Sequence, residues 1–330
     1  MFESMLLILI VGVSAILQIL VHEAGHLVFG LATGYRFISF TVLNFRIYKH
    51  GKKISVGKSS VAGAGGQCLM EPAFEESNSI PYFWYNAGGT IFNLLSGIFC
   101  IGIAFIFSDG TMARTSFLLA GIIGLLFVVS NGIPMRTRVA ANDAYNILSM
   151  ISNSSAKRAF WRVMKINAFG ATEKKNLLDF PQQWFSDLPD HNYSNPLICV
   201  FAIDRIYFLL EQQEYQKALD ICNEILKAKA VLGTYKNEAL CEKQFCEMML
   251  AVKTGSGNIA YSLKGNILKE RLAPLSSYHT IYAHAIFVLR DKEKAMQAAK
   301  DFNVKCRIDC NKGIVEHEKF MMGLLQSYSA

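Results

Sequence analysis

The sequence predicts a mostly helical membrane protein whose C-terminal part is a soluble helical domain. Hydrophobic residues make up 52% of the 330 residues and charged residues only 18%, against roughly 25% charged residues in average soluble chains. The long apolar runs all lie within residues 1–150. Residues 151–330 mix charged and apolar residues as a soluble protein does. We therefore expect two domains, a transmembrane core over residues 1–150 and an α-helical domain over residues 151–330.

Three apolar segments within residues 1–150 predict membrane-spanning helices. They cover residues 5–32, 81–107 and 115–130. A helix needs roughly 20 mostly apolar residues to cross the hydrocarbon core of a membrane. The first segment is not read as a cleaved signal peptide, because it starts beside Glu3 instead of a basic region and stays apolar through residues 27–32.

Residues 35–70 predict a small β-region that lies against the membrane face. Aromatic and β-branched residues dominate residues 37–43 and 45–48, as is typical of strands. A strand edge within residues 37–57 is the expected place for an extended peptide to bind. The region is also basic, with Arg36, Arg46, Lys49, Lys52, Lys53 and Lys58.

The positions of the basic residues predict the orientation of the chain in the membrane. Basic residues follow the first apolar segment and also the third, and cytoplasmic loops are enriched in lysine and arginine. We therefore expect a multi-pass integral membrane protein with its N-terminus outside and its C-terminal domain in the cytoplasm. The net charge of +7 is interpreted as this bias. We expect no nucleic-acid partner, because no basic stripe with interleaved aromatic residues is present.

The segment His22-Glu23-Ala24-Gly25-His26 carries the chemistry that the sequence predicts. Residues four apart share one face of a helix, so His22 and His26 can bind one metal ion. Glu23 lies beside the first ligand, where a carboxylate can act as general base, and this is the H-E-x-x-H arrangement of zinc peptidases. Ionisable residues inside a membrane helix are costly, which predicts a functional site.

A catalytic zinc site needs about three protein ligands and one open position. Asp143 is the best third candidate, because it follows the third apolar segment on the side of the membrane where His22 and His26 lie. Asp109 is a poor candidate, because the same topology places it on the opposite side. The sequence thus predicts one Zn²⁺ per chain, bound by His22, His26 and Asp143.

Two asparagines are candidates for holding the oxyanion or positioning the substrate. Asn93 lies within the second apolar segment, and Asn131 lies where Pro134 must end the third. For Asn93, a hydrogen bond that only packs two helices together is an equally good interpretation.

The pattern of residues 1–150 resembles the site-2 protease family of intramembrane zinc metalloproteases. The resemblance rests on the His22–His26 motif, on Gly88-Gly89 with Asn93, and on residues 131–134 (Asn-Gly-Ile-Pro) followed by Asp143. It implies a three-helix core that cleaves membrane-embedded or membrane-adjacent peptides near the cytoplasmic side. It also implies that His22, His26 and Asp143 bind zinc and that Glu23 is the general base.

The chain departs from the family pattern at its third ligand. The family often has Leu-Asp-Gly close behind Asn-x-x-Pro, whereas Asp143 comes nine residues after Pro134 and lies between Asn142 and Ala144. A peptide-binding domain of the type that many bacterial members carry is not recognisable. The resemblance allows three classes of substrate: a signal-peptide remnant, a pheromone or bacteriocin precursor, or an anti-sigma factor. The small core and the helical second domain favour a small peptide precursor in a bacterium.

Residues 151–330 predict an array of helical hairpins. Residues 214–219 weakly resemble the start of the second helix of a tetratricopeptide repeat, and residues 290–299 echo them, although Ala218 and Ala295 are not separated by a multiple of the 34-residue period. We expect this domain to bind a protein or peptide, or to regulate the membrane part. Its four histidines are interpreted as packing or surface residues; they are His191, His279, His284 and His317.

The eight scattered cysteines indicate free thiols in a reducing compartment. Cys306 and Cys310, with His317 nearby, could bind a metal, but two small residues on one helix face is the favoured interpretation.

Three alternatives to a peptidase remain open. The polar residues of the apolar segments could merely pair with one another. The chain could be a catalytically inactive member of the family that serves as a membrane scaffold or peptide-binding protein. A metal transporter is the third class, although it would be expected to have more spanning helices.

Overall fold

The computed structural model describes residues 2–50, 53–58, 65–77, 79–173, 175–255, 275–306 and 312–329. The chain is mostly helical and contains a small sheet, as the sequence predicts. It divides into two compact units, Met1–Lys157 and Arg158–Ala330.

Within the described ranges, three helices are long and apolar enough to cross a membrane. They are α1 (Phe2–Ala32), α2 (Tyr82–Ala104) and α3 (Met112–Gly132). Their outward surfaces are apolar, and Phe99 on α2, for example, is 65% exposed. Helix α2 ends three residues earlier than predicted, because residues 105–107 continue in tighter turns in which each N–H bonds the third carbonyl before it. Gly110 then reverses the chain at φ +76°.

Glycines set the close packing of the first two helices. A Cβ on Gly25 of α1 would overlap the carbonyl of Gly88 on α2, so the two backbones touch at this crossing. The next residue, Gly89, makes room for the His22 ring, since a Cβ there would lie 2.5 Å from the ring Cε1. Helices α2 and α3 approach closely at Gly97 and Gly121 in the same way.

The predicted β-region is a four-stranded antiparallel sheet in the order β3-β2-β1-β4. The strands are β1 (Tyr35–Val42), β2 (Phe45–His50), β3 (Lys53–Lys58) and β4 (Gly66–Pro72). Strands β1 and β2 lie inside the sheet, so the strand edges are those of β3 and β4. Strand β4 packs against α1, where its Met70 lies against Gly30. The edge beside α1 therefore belongs to β4, which lies outside the expected residues 37–57.

The rest of the first unit is α4 (Asp143–Met150) and the beginning of α5 (Ser154–Thr172). A ten-residue connection, residues 133–142, leads from α3 to α4. An isolated β-bridge between Arg136 and Ala141 closes this connection into a loop. Helix α4 consequently starts close to the end of α3.

The second unit is helical throughout its described part. Its main helices after α5 are α6 (Pro196–Glu211), α7 (Tyr215–Lys227), α8 (Gly233–Lys253), α9 (Tyr278–Ala283), α10 (Lys292–Lys305) and α11 (Lys312–Ser329). Helix α9 runs on into a π-helical turn, His284–Val288. Ala218 and Ala295 are both buried, at 0% and 1% exposure, which is consistent with small residues at close helix contacts. The prediction of a helical C-terminal region is confirmed.

Candidate functional site

A stripe of buried polar side chains runs along α1. Ser14, Gln18, His22 and His26 follow one another at intervals of four residues, so they share one face of the helix. Each is less than 9% exposed, although many apolar residues of the same helix point outwards. The stripe faces α2 and α3, and it ends at the two histidines.

His22, His26 and Asp143 bring three potential metal-ligand atoms together. The Nε2 atoms of the two histidines lie 3.1 Å apart. Asp143 Oδ2 lies 3.1 Å from His22 Nε2 and 3.4 Å from His26 Nε2. The three residues thus form a group that could hold a metal ion. Asp143 comes from a different helix, 121 residues beyond His22.

The other ring nitrogen of each histidine has its own partner. His22 Nδ1 lies 2.7 Å from Asn93 Oδ1, and His26 Nδ1 lies 2.7 Å from the carbonyl oxygen of Tyr85. Both partners are oxygens that can accept, so each Nδ1 donates its hydrogen and each Nε2 faces Asp143 Oδ2. Outer partners of this kind fix the tautomer and the ring orientation of metal-binding histidines.

Asn93 forms hydrogen bonds through both ends of its side-chain amide. It is fully buried, and its Nδ2 donates to both the backbone oxygen and the Oε1 of Gln18, at 2.9 Å and 2.8 Å. Gln18 Nε2 in turn donates to the carbonyl of Ala120 on α3. Both ends of the Asn93 amide are therefore engaged, one by Gln18 and the other by His22. Gln18 was not singled out from the sequence, although its position four residues before His22 is a usable signal.

We predict that Asn93→Ala weakens metal binding by about 10–100-fold, the usual effect of losing an outer partner of a metal-binding histidine. The affinity can be measured by competition with a chromogenic chelator. Ser96→Ala is the matched control, because Ser96 also bonds Gln18 Oε1 but does not contact His22. Equal affinities for the Asn93→Ala variant and the native protein would contradict this role.

Glu23 lies between the histidines in sequence but faces the sheet. Its side chain is 7% exposed and packs against β4, where a Cβ on Gly66 would lie 2.7 Å from Glu23 Oε1. The backbone of Cys68 also lies beside its carboxylate. Glycine at position 66 thus makes room for the carboxylate beside the edge strand. Glu23 is not one of the three side chains whose ligand atoms converge.

The hydrogen bonds of Asn142 account for the position of Asp143 beside the histidines, although Asp143 comes nine residues after Pro134. The Asn142 Nδ2 donates to the carbonyls of Ser130 and Ile133, both at 2.7 Å. Its Oδ1 accepts from the N–H of Met135 and caps α4 by accepting from the N–H of Tyr145. The first residue of α4 is therefore anchored at the end of α3, and the nine-residue spacing is absorbed by the closed loop.

The electrostatics of Asp143 follow from its neighbours. Burial alone would raise the pKa of its carboxyl, but His26 and His22 outweigh burial and hold the pKa well below its usual range. Its place in the first turn of α4 also favours the charged form, because the N-terminus of a helix carries partial positive charge. Asp143 is thus an ionised carboxylate, the form that binds metals.

A cavity of about 320 Å³ opens beside Asp143, between α2, the end of α3 and α4. Most of its lining is apolar, and its polar residues include Asn86, Thr90 and Asn131. The Asn131 amide lies 3.3 Å from both the carbonyl of Phe127 and the hydroxyl of Ser130. Asn131, unlike Asn93, therefore borders open space next to the site, where a substrate could reach it.

The histidines of the second unit, which are interpreted as packing or surface residues, include both exposed and buried side chains. His191 is exposed and pairs with Asp187. His279 and His317 are buried and bonded to glutamates, and with Glu318 they form a second group that could hold a metal. Cys306 is half-buried, and Cys310 lies outside the described residues.

The comparisons with known proteins do not assign the chain to a family. No family model matches the sequence, and neither the curated proteins nor the solved structures give a match.

Proposed function

We propose that the chain is an intramembrane zinc metallopeptidase that hydrolyses a peptide bond in a membrane-embedded or membrane-adjacent substrate. The convergence of His22 Nε2, His26 Nε2 and Asp143 Oδ2 within 3.4 Å carries this proposal. A general base, Glu23, lies one residue from the first of these ligands. Ordinary helix packing does not require such an arrangement in a mostly apolar helix.

The donor atoms fit zinc in type and in spacing. Zinc–nitrogen and zinc–oxygen bonds of about 2.0–2.2 Å in tetrahedral geometry separate neighbouring ligand atoms by about 3.3–3.6 Å. The three observed separations are 3.1 Å, 3.1 Å and 3.4 Å. Two imidazoles and one carboxylate leave a fourth position for water or substrate, as in other catalytic zinc sites. When bound, zinc polarises the substrate carbonyl and makes water more acidic.

Glu23 moves the proton in the proposed reaction. Its carboxylate accepts a proton from the attacking water and then delivers it to the leaving nitrogen. The backbone of β4 borders the carboxylate at Gly66 and Cys68. Burial beside the sheet keeps bulk water away, which strengthens its interactions with the reacting groups. Asn131 is the remaining candidate for contacting the substrate from the cavity.

The edge of β4 is the proposed binding site for the scissile peptide. An extended peptide can add to a free strand edge through main-chain hydrogen bonds. Such a peptide would pass Gly66 and Cys68, the two positions that contact Glu23. In a helical substrate the backbone carbonyls are bonded to N–H groups of the same helix, so the substrate has to unwind before it can be cleaved. The strand edge stabilises the unwound form.

The position of the site along α1 supports cleavage near one membrane surface. His26 lies six residues before the end of α1, or about 9 Å of helix rise. The basic sheet follows directly, and basic residues mark the cytoplasmic side. We therefore place the reaction near the cytoplasmic surface of a bacterial cell membrane, with the second unit in the cytoplasm.

The metal content of the detergent-purified protein tests the proposal. Elemental analysis should find at least one zinc per chain, and His26→Ala should remove one equivalent. His191→Ala is the control, since His191 is exposed in the second unit. Protein that is purified without chelators and binds no zinc would refute the proposed catalysis.

A further inference from the structure

A second cluster of ionisable side chains is buried in the second unit, where the proposed peptidase chemistry does not use it. Its five members come from four helices, and none is more than 2% exposed. They are Glu211 on α6, Glu242 on α8, His279 on α9, and His317 and Glu318 on α11.

Each of the two histidines bonds a glutamate through Nδ1, but their second nitrogens differ. His279 Nδ1 lies 2.7 Å from Glu318 Oε1, and His317 Nδ1 lies 2.8 Å from Glu211 Oε1. The second nitrogen of His279 lies 2.9 Å from Glu242 Oε2. His317 therefore resembles a metal-binding histidine, because such residues usually donate one ring N–H to a carboxylate, a carbonyl or water and bind the metal through the other nitrogen.

The cluster contains more carboxyl groups than basic groups. Three glutamates face two histidines. No salt bridge between described residues brings a lysine or arginine to Glu211, Glu242 or Glu318. Buried negative charge without compensation is strongly unfavourable, and a divalent cation would balance it.

Two buried atoms of the cluster also lack partners. Across the described part of the chain, no hydrogen-bond partner reaches His317 Nε2 or Glu242 Oε1. One ligand atom from each of His279, His317 and Glu318 lies within 4.8 Å of the other two. Buried polar groups are almost always paired in native proteins, so an imidazole nitrogen without a partner in a charged cluster indicates a missing ligand.

We propose that His279, His317 and Glu318 form a second metal site, which binds a divalent first-row transition metal such as zinc. Mixed imidazole and carboxylate ligands suit this class of ions better than calcium or magnesium. The ion supplies the missing positive charge and occupies the free lone pair of the His317 imidazole. It links α9 to α11 across 38 residues of sequence. This proposal is independent of the catalytic site in the first unit.

Metal analysis of full-length variants tests the second site. The native protein in detergent, equilibrated with zinc chloride and desalted, should hold two zinc ions per chain. The His22→Ala/His26→Ala variant should retain one, and adding His317→Gln or Glu318→Gln to it should remove that one. His191→Gln is the matched control in the same unit. Zinc should also raise the melting temperature of the His22→Ala/His26→Ala variant, but not after His317→Gln is added.

Two results would overturn the proposal. The first is that the His22→Ala/His26→Ala protein binds no zinc although it keeps the far-UV circular dichroism of the native chain. The cluster would then be an ion-pair network only. This measurement leaves the cluster itself unaltered, so a folding defect caused by changing it cannot confuse the result. The other is an unchanged zinc content after both His317→Gln and Glu318→Gln. Neither result bears on the proposed catalytic site. That proposal is contradicted separately if His26→Ala removes no zinc.

Discussion

Replacing Glu23 with glutamine should lower the rate of peptide hydrolysis by about 10²–10⁴-fold, the usual contribution of general acid–base catalysis. The zinc should stay in place. Glutamine has nearly the same shape and can keep the contacts with Gly66 and Cys68. It cannot take a proton from water at neutral pH. Since Glu23 is not among the converging ligand atoms, the affinity for zinc should be unchanged.

Membrane peptides that accumulate in cells producing the Glu23→Gln variant identify the substrate. The accumulated peptide then serves as the substrate for the purified native protein and the variant. Glu3→Gln is the control on the same helix, since Glu3 is exposed and far from the histidines. An inactive scaffold predicts a different outcome, in which Glu23→Gln preserves the full function of the chain and no peptide accumulates.

Replacing Asp143 with alanine should abolish hydrolysis and weaken zinc binding at the first site by more than the 10–100-fold expected for loss of an outer partner. Asp143 supplies the only carboxylate oxygen among the three converging ligand atoms. Its loss leaves two histidines, one turn apart on α1, with no protein ligand from another helix. The zinc affinity is measured by chelator competition and the activity with the accumulated peptide.

Asp109→Ala is the control for Asp143, because Asp109 lies in the exposed turn between α2 and α3 and pairs with Arg114. The two carboxylates are the candidates that the predicted topology places on opposite sides of the membrane. If Asp143→Ala retained native zinc affinity, the third ligand would have to come from another residue. The convergence of Asp143 with the histidines would then be an ordinary ion pair.

The most local features of the molecule were predictable from sequence. The His22–His26 spacing places both imidazoles on one helix face whatever the surroundings, because the helix repeat is a property of the backbone. The three apolar helices follow from hydropathy and length in the same way. The small sheet follows from its β-branched and aromatic residues, although its order does not, since strand pairing depends on contacts between residues distant in sequence.

The outer contacts of the first site could not be predicted. Asn93 could have faced the substrate or the histidine, and only the packing of α2 against α1 shows that it bonds His22 and Gln18. The nine-residue distance from Pro134 to Asp143 differs from the pattern of the site-2 protease family, and the sequence alone does not account for the difference. The loop anchored by Asn142 accounts for it through four hydrogen bonds that no linear spacing encodes.

The sequence by itself determined the pair of histidines, the adjacent glutamate and the division into an apolar and a mixed half, because each depends on composition or on the repeat of a single helix. Only the tertiary structure decided which carboxylate meets the histidines and which strand edge faces Glu23. It alone brought Glu211, Glu242, His279, His317 and Glu318 together, since they lie on four helices and are separated by up to 107 residues. The physical reason is that such contacts form between elements, and their distances are set by how the helices pack.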